Sequence, residues 1–79
     1  MNIKILGSGC TNCKKLQTMA EDAVKELGIT AELEKVEGLK DIVRYGVMRT
    51  PALVVDEKVK IMGRVPAYSE VLQVLKDAQ

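Results

Sequence analysis

YGVMRTPALVV, residues 45–55, carries the chain from a helical pattern into a strand through one proline. Just upstream, Leu39, Ile42 and Val43 recur at helical spacing, and Gly46 marks the end of that short helix. Pro51 then opens ALVV, residues 52–55, a continuous apolar run that suits a buried inner strand. Asp56 and Glu57 follow as a predicted hairpin turn into residues 58–62. There Lys58 and Lys60 alternate with Val59 and Ile61, a pattern that protects an exposed sheet edge from mispairing. After Gly63, the spacing of Tyr68, Val71, Leu72 and Leu75 predicts a final amphipathic helix.

Towards the N-terminus, residues 2–6 (NIKIL) read as a strand with Ile3 and Ile5 on one face. From residue 10 to 27, Leu16, Met19, Ala20, Ala23, Val24 and Leu27 recur as on a helix, and Gly28 supplies a left-handed stop. Residues 31–36 (AELEKV) alternate apolar and charged, as a half-exposed edge strand does. The predicted order is β-α-β-α-β-β-α. Strands flanking the first helix lie parallel through a right-handed crossover, and the last two form an antiparallel hairpin. The expected fold is α/β: one domain over residues 1–79, a four-stranded mixed sheet flanked by three helices, with the first and third strands inside. No linker, repeat or low-complexity segment interrupts it.

Seventy-nine residues bury only roughly 60% of the surface of the unfolded chain, so the core is modest. The 47% hydrophobic and 29% charged content argues against disorder. A net charge of +1 gives no electrostatic reason to expect nucleic acid or a membrane surface as partner. Phe and Trp are absent, which removes the usual stacking platform for single strands. The apolar run at the N-terminus is too short for a signal-peptide core, and no later run approaches a membrane span, so a cytoplasmic location is expected. There is no histidine, hence neither the commonest general base nor the commonest partner of a cysteine nucleophile.

Both cysteines fall in GSGCTNC, residues 7–13. Cys10 sits where the first strand hands over to the first helix, and the unsatisfied N–H groups and dipole of a helix start stabilise an anion there. A thiol with a pKa of ~8.5 is about 3% ionised at pH 7, and one lowered to about 7 is half ionised. Cys13 lies one helical turn further in and is expected to be the more buried. Lys14 and Lys15 add a small positive contribution. A C-x-x-C pair in a reducing compartment points to redox catalysis or soft-metal binding. A structural clip over so short a loop would contribute only ~2 kcal/mol on the chain-entropy model.

With Cys10-x-x-Cys13 at a strand-to-helix junction and Thr50-Pro51-Ala52-Leu53 entering an apolar strand about forty residues later, the chain resembles the thioredoxin-like family. The stretch from Tyr45 to Leu53 is similar to thioredoxin's tyrosine-glycine to proline-threonine-leucine segment without a gap. The resemblance covers nearly the whole chain and suits the small thioredoxin/glutaredoxin-like redox-active disulfide proteins. It implies a thiol–disulfide oxidoreductase, Cys10 attacking and Cys13 resolving. It also implies a cis Thr50–Pro51 bond that holds the Thr50 backbone beside the dithiol, where an extended substrate pairs with it. Gly9, Thr11 and Asn12, around and between the cysteines, are expected on the same substrate-binding surface. No bound cofactor is implied; disulfide-bonded proteins or small-molecule disulfides are the implied substrates, and a flavin-dependent disulfide reductase the electron donor.

The chain departs from thioredoxin in having Gly9 instead of Trp before the first cysteine and Thr11-Asn12 instead of Gly-Pro between the pair. Thioredoxin's buried acid lies six residues before the first cysteine; that position is Lys4, which either accepts a proton with its pKa depressed by burial or snorkels to solvent. Met62-Gly63-Arg64-Val65-Pro66 offers one glycine and no acid where glutaredoxins bind glutathione, which favours protein disulfides. The alternative function is a Cu(I) carrier using both thiolates. Such carriers run β-α-β-β-α-β and place a methionine where Ser8 stands. A closed zinc site needs four ligands, and one copy of the chain supplies two thiols. A pure interaction module would leave the cysteines incidental.

Overall fold

The computed structural model describes residues 1–7 and 11–78. Its elements are β1 (Asn2–Leu6), α1 (Thr11–Leu27), β2 (Glu32–Val36), α2 (Leu39–Arg44), β3 (Ala52–Val55), β4 (Lys58–Met62) and α3 (Tyr68–Asp77). The sheet order is β2-β1-β3-β4, with β1 parallel to β2 and antiparallel to β3, and β3 antiparallel to β4. The two most apolar strands, β1 and β3, are therefore the inner ones, as the hydrophobic pattern requires. Nearly every boundary falls where periodicity puts it; β2 begins one residue later than expected, at Glu32.

The register of β1 on β3 sorts the core into two layers. Ile3 faces Val55 and Ile5 faces Leu53, and all four pack with Leu16, Ala20 and Ala23 of α1 and Val71 and Leu75 of α3. Leu6 faces Ala52 on the other side of the sheet, where Val36, Val54, Val47 and Ile42 of α2 complete a smaller cluster. α1 and α3 are held together at their ends by Tyr68, whose hydroxyl donates to Glu26 at 3.1 Å. α2 has six residues and no side-chain cap, too short to persist alone, so Ile42 and the Tyr45 ring anchor it to the sheet.

The β3–β4 hairpin turns through Asp56 and Glu57 with φ of 48° and 70°. Two positive φ values match the twist of the flanking strands, but they are uncommon for residues other than Gly, Asn and Asp. Contacts from β1 hold the turn: Asn2 N–H donates to Asp56 Oδ1, Asp56 N–H donates to the Asn2 carbonyl, and Lys4 Nζ donates to Glu57. A bulge then shifts the pairing, so that Leu53 faces Ile61 while Val54 faces Val59. The strict alternation expected in β4 is thereby broken. Ile61 is buried and Val59 is 36% exposed.

Leu53 is fully buried on an inner strand in the larger cluster. Leu53→Ala is expected to lower the unfolding free energy by about 2–5 kcal/mol, read as a shifted midpoint at unchanged slope in urea denaturation.

Candidate functional site

Gly7 leaves the end of β1 with its N–H donating to the Val36 carbonyl at 2.9 Å. The strand thus ends pinned to its parallel neighbour, and the chain re-enters the described residues at Thr11, the start of α1. In the first turn of that helix Thr11, Asn12, Lys14 and Lys15 are exposed, and Cys13 alone is buried, 5% exposed. Cys13 is disulfide-bonded. Gly9 and Cys10 lie outside the described residues.

The start of α1 and the loop before β3 both come up to Gly7 at the end of β1. A Cβ added to Gly7 would collide with Cys13 Sγ, would come within 3.3 Å of Cys13 Cβ, and would lie 3.6 Å from Thr50 Cβ. Only a residue without a side chain permits this approach. Thr50 is exposed and Pro51 buried, and the peptide bond between them is cis. The Pro51 carbonyl accepts from Gly63 N–H at 2.9 Å, which fastens the Thr50–Pro51 corner to the end of β4.

Beside Thr50 runs a groove of about 440 Å³ walled by Glu37, Ile42, Val47 and the exposed side chains of Leu39, Val43 and Met48. On the other flank of Cys13 is a void of about 10 Å³ bordered by Gln17, Lys14, Lys35 and Glu37. Two ammonium groups and one carboxylate therefore border the Cys13 side of the helix start.

Lys4 does not take the role of a burial-depressed base. It lies on the Leu6 face of the sheet, opposite the face that α1 covers. Its Nζ donates to Tyr45 Oη at 2.6 Å and to Glu57 Oε1 at 2.7 Å, and the Tyr45 hydroxyl donates to Glu57 Oε2 at 2.8 Å. The hydrogen bonds to Glu57 and Tyr45 raise the Lys4 pKa well above its ordinary value, outweighing desolvation. The same Lys4 contact, with Tyr45, lowers that of Glu57. Lys4 is thus a permanent cation in a closed three-residue ring that ties β1, the end of α2 and the hairpin turn together.

Of the residues expected at the site, Cys13, Thr50 and Pro51 converge, and Thr11 and Asn12 are exposed beside them. Gly7 and Glu37 were not anticipated. A glycine at the end of an inner strand was the available signal for Gly7, whereas nothing local marks Glu37.

Residues 1–76 match the family model described as a thioredoxin domain. A thioredoxin of Methanothermobacter thermautotrophicus is 47% identical over 75 residues, 95% of this chain and 97% of its own length. A thioredoxin of Methanocaldococcus jannaschii is 35% identical, covering 94% of this chain and 85% of its own. A probable thioredoxin of Archaeoglobus fulgidus is 33% identical over 85% of this chain and 76% of its own. Among the described residues no helix is long and apolar enough to cross a membrane.

Gly7→Ala is expected to cost about 1–3 kcal/mol of stability by overpacking against Cys13, visible as a lowered thermal midpoint. Lys4→Met is expected to leave the pH profile of thiol exchange unchanged between about pH 6 and 9, because Lys4 holds its charge throughout that range. Stopped-flow exchange rates against pH check this; a displaced profile would return Lys4 to the proton path.

Proposed function

The chain belongs to the thioredoxin family and is a thiol–disulfide oxidoreductase; from that premise we propose that Cys10 and Cys13 are its working dithiol, with Cys10 attacking and Cys13 resolving. The Cys10 thiolate attacks one sulfur of a substrate disulfide. A mixed disulfide forms, and the first substrate sulfur leaves as a thiolate and takes up a proton. Cys13 then loses its proton and attacks the Cys10 sulfur, releasing the second substrate thiolate. The substrate gains two electrons and two protons, and the Cys10–Cys13 pair is left as a disulfide. The exchange balances among thiols alone and requires no bound cofactor.

The observation that carries this reading is the close approach of both Cys13 and Thr50 to Gly7. A buried resolving sulfur is shielded from unwanted partners, and it lies beside the backbone that receives the substrate. Thr50 and Pro51 form the substrate edge, where an extended segment adds as a strand. Gly9, Thr11 and Asn12 complete the surface it meets. The exposed Leu39, Val43 and Met48 along the neighbouring groove support a polypeptide as the substrate. A flavin-dependent disulfide reductase in the cytoplasm returns the two electrons, and residues 1–79 act as one domain.

Reduction of insulin by dithiothreitol tests the assignment. The wild-type chain accelerates precipitation of the insulin B chain, Cys10→Ser abolishes the acceleration, and Cys13→Ser accumulates a covalent adduct with the substrate that excess dithiothreitol releases. Acceleration that survives Cys10→Ser would overturn it.

A further inference from the structure

The chain has three arginines, and two of them are satisfied locally. Arg44 pairs with Asp41 at 3.6 Å, and Arg64 binds both carboxylate oxygens of Glu70. Arg49 is exposed and has no hydrogen-bond or ion-pair partner among the described residues. It is also the residue next to Thr50. An unpaired guanidinium at the substrate edge is therefore available to a ligand.

Arg49 is seated as well as available. Its aliphatic stem lies across Gly63: a Cβ built there would be 3.1 Å from Arg49 Cβ and 3.4 Å from Cδ. Gly63 has φ of 78° and donates its N–H to the Pro51 carbonyl, so the surface under the stem is fixed to the same corner that carries Thr50. A stem held on a backbone platform loses less rotamer freedom on binding than a free side chain does. The planar guanidinium matches a carboxylate in a two-point hydrogen-bonded pair.

We infer that Arg49 is a specificity-determining residue, selecting polypeptide disulfides that carry a carboxylate side chain one or two residues from the attacked cysteine. The inference rests on the substrate edge proposed above. A segment paired at Thr50 advances about 3.3 Å per residue, which brings its next side chains within reach of Arg49. The charged residue that lines the groove beside Thr50 is Glu37, while Arg49 precedes Thr50 outside that lining, so the two sides of the edge carry opposite charges.

Two disulfide-bridged peptides, identical except for Glu or Gln beside each cysteine, supply the test, with a Lys peptide as the third arm. Each kcat/KM is divided by the rate of dithiothreitol with the same peptide, which removes the effect of peptide charge on its own sulfur. The wild type is expected to prefer the Glu peptide over the Gln peptide by about two- to fivefold, the size of an exposed ion pair, through KM and not kcat. The preference disappears in about 0.5 M salt and in Arg49→Gln, which reduces the Gln peptide as the wild type does. Arg49→Glu turns the preference to the Lys peptide. Equal rates for Glu and Gln peptides with the wild type at low salt would overturn the inference while leaving the redox reading intact. A preference that survives Arg49→Gln would overturn it too and assign the selection to Lys14, Lys15 or Lys35. Failure to reduce any of the peptides, or insulin, would sink both readings.

Discussion

The antiparallel pairing of β1 with β3 is the constraint from which the remainder follows. Four residues of each strand are in register, from Ile3 opposite Val55 to Leu6 opposite Ala52. A slip of one residue would move Ile3 and Ile5 to the face of the small cluster and expose Lys4 to the large one. The same register decides where the strands stop. β1 runs out at Gly7 just where β3 begins after Pro51, so the start of α1 and the Thr50–Pro51 corner are delivered to the same end of the sheet. Cys13 and Thr50 both come up to Gly7 because the two strands pair in this register.

That register also puts a lysine on an inner strand, and the molecule accommodates it without a neutralising protonation change. Lys4 keeps a side chain only 16% exposed, yet its ammonium reaches the rim, where Tyr45 and Glu57 complete its hydrogen bonds. Lys4 has its pKa raised on folding, so its contribution to stability is present below the unfolded value and lost as pH rises through the folded one. Glu57 has its pKa lowered, so its contribution is present above the unfolded value and lost as pH falls through the folded one. The ring is consequently constant across neutral pH. It serves as a fixed tie on the face of the sheet opposite α1.

How far the sequence could be read follows from the range of the interactions involved. Hydrophobic patterning is local, and it located all seven elements: α1, α3 and β1 bury a regular face, and β3 is an unbroken apolar run buried on both faces. The Asp56–Glu57 turn was legible for the same reason. The bulge that exposes Val59 was not, because it arises from how β4 fits β3, and the alternating residues of β4 carry no sign of it. Side-chain partnerships were the least legible. Lys4 meets Tyr45 and Glu57 across 41 and 53 residues, and whether it turned inward as a base or outward as a cation depended on partners that no local pattern names. Gly7 and Gly63 read locally as turn or loop glycines. Gly7 is glycine because Cys13 Sγ lies where a Cβ would be, and Gly63 because its φ is 78° and the Arg49 stem lies close over it.

The two layers of the core divide the work unequally, and the lighter layer carries the Thr50–Pro51 corner. The α1–α3 side buries two long helices against four large side chains of the inner strands, which gives it most of the apolar area. The α2 side has one six-residue helix, a handful of buried residues and several apolar side chains left in solvent. Such a layer would place residues 46–50 poorly if burial were its only support. It is held instead at discrete points: Val47 in the small cluster, the Tyr45 hydroxyl in the Lys4–Glu57 ring, and the Pro51 carbonyl on Gly63. Each point fixes the loop by a directional or close-packed contact that costs little surface, so Thr50 can stay exposed and still be oriented. An exposed backbone held at several points would make the substrate's own ordering the main entropic cost of the strand addition proposed for it.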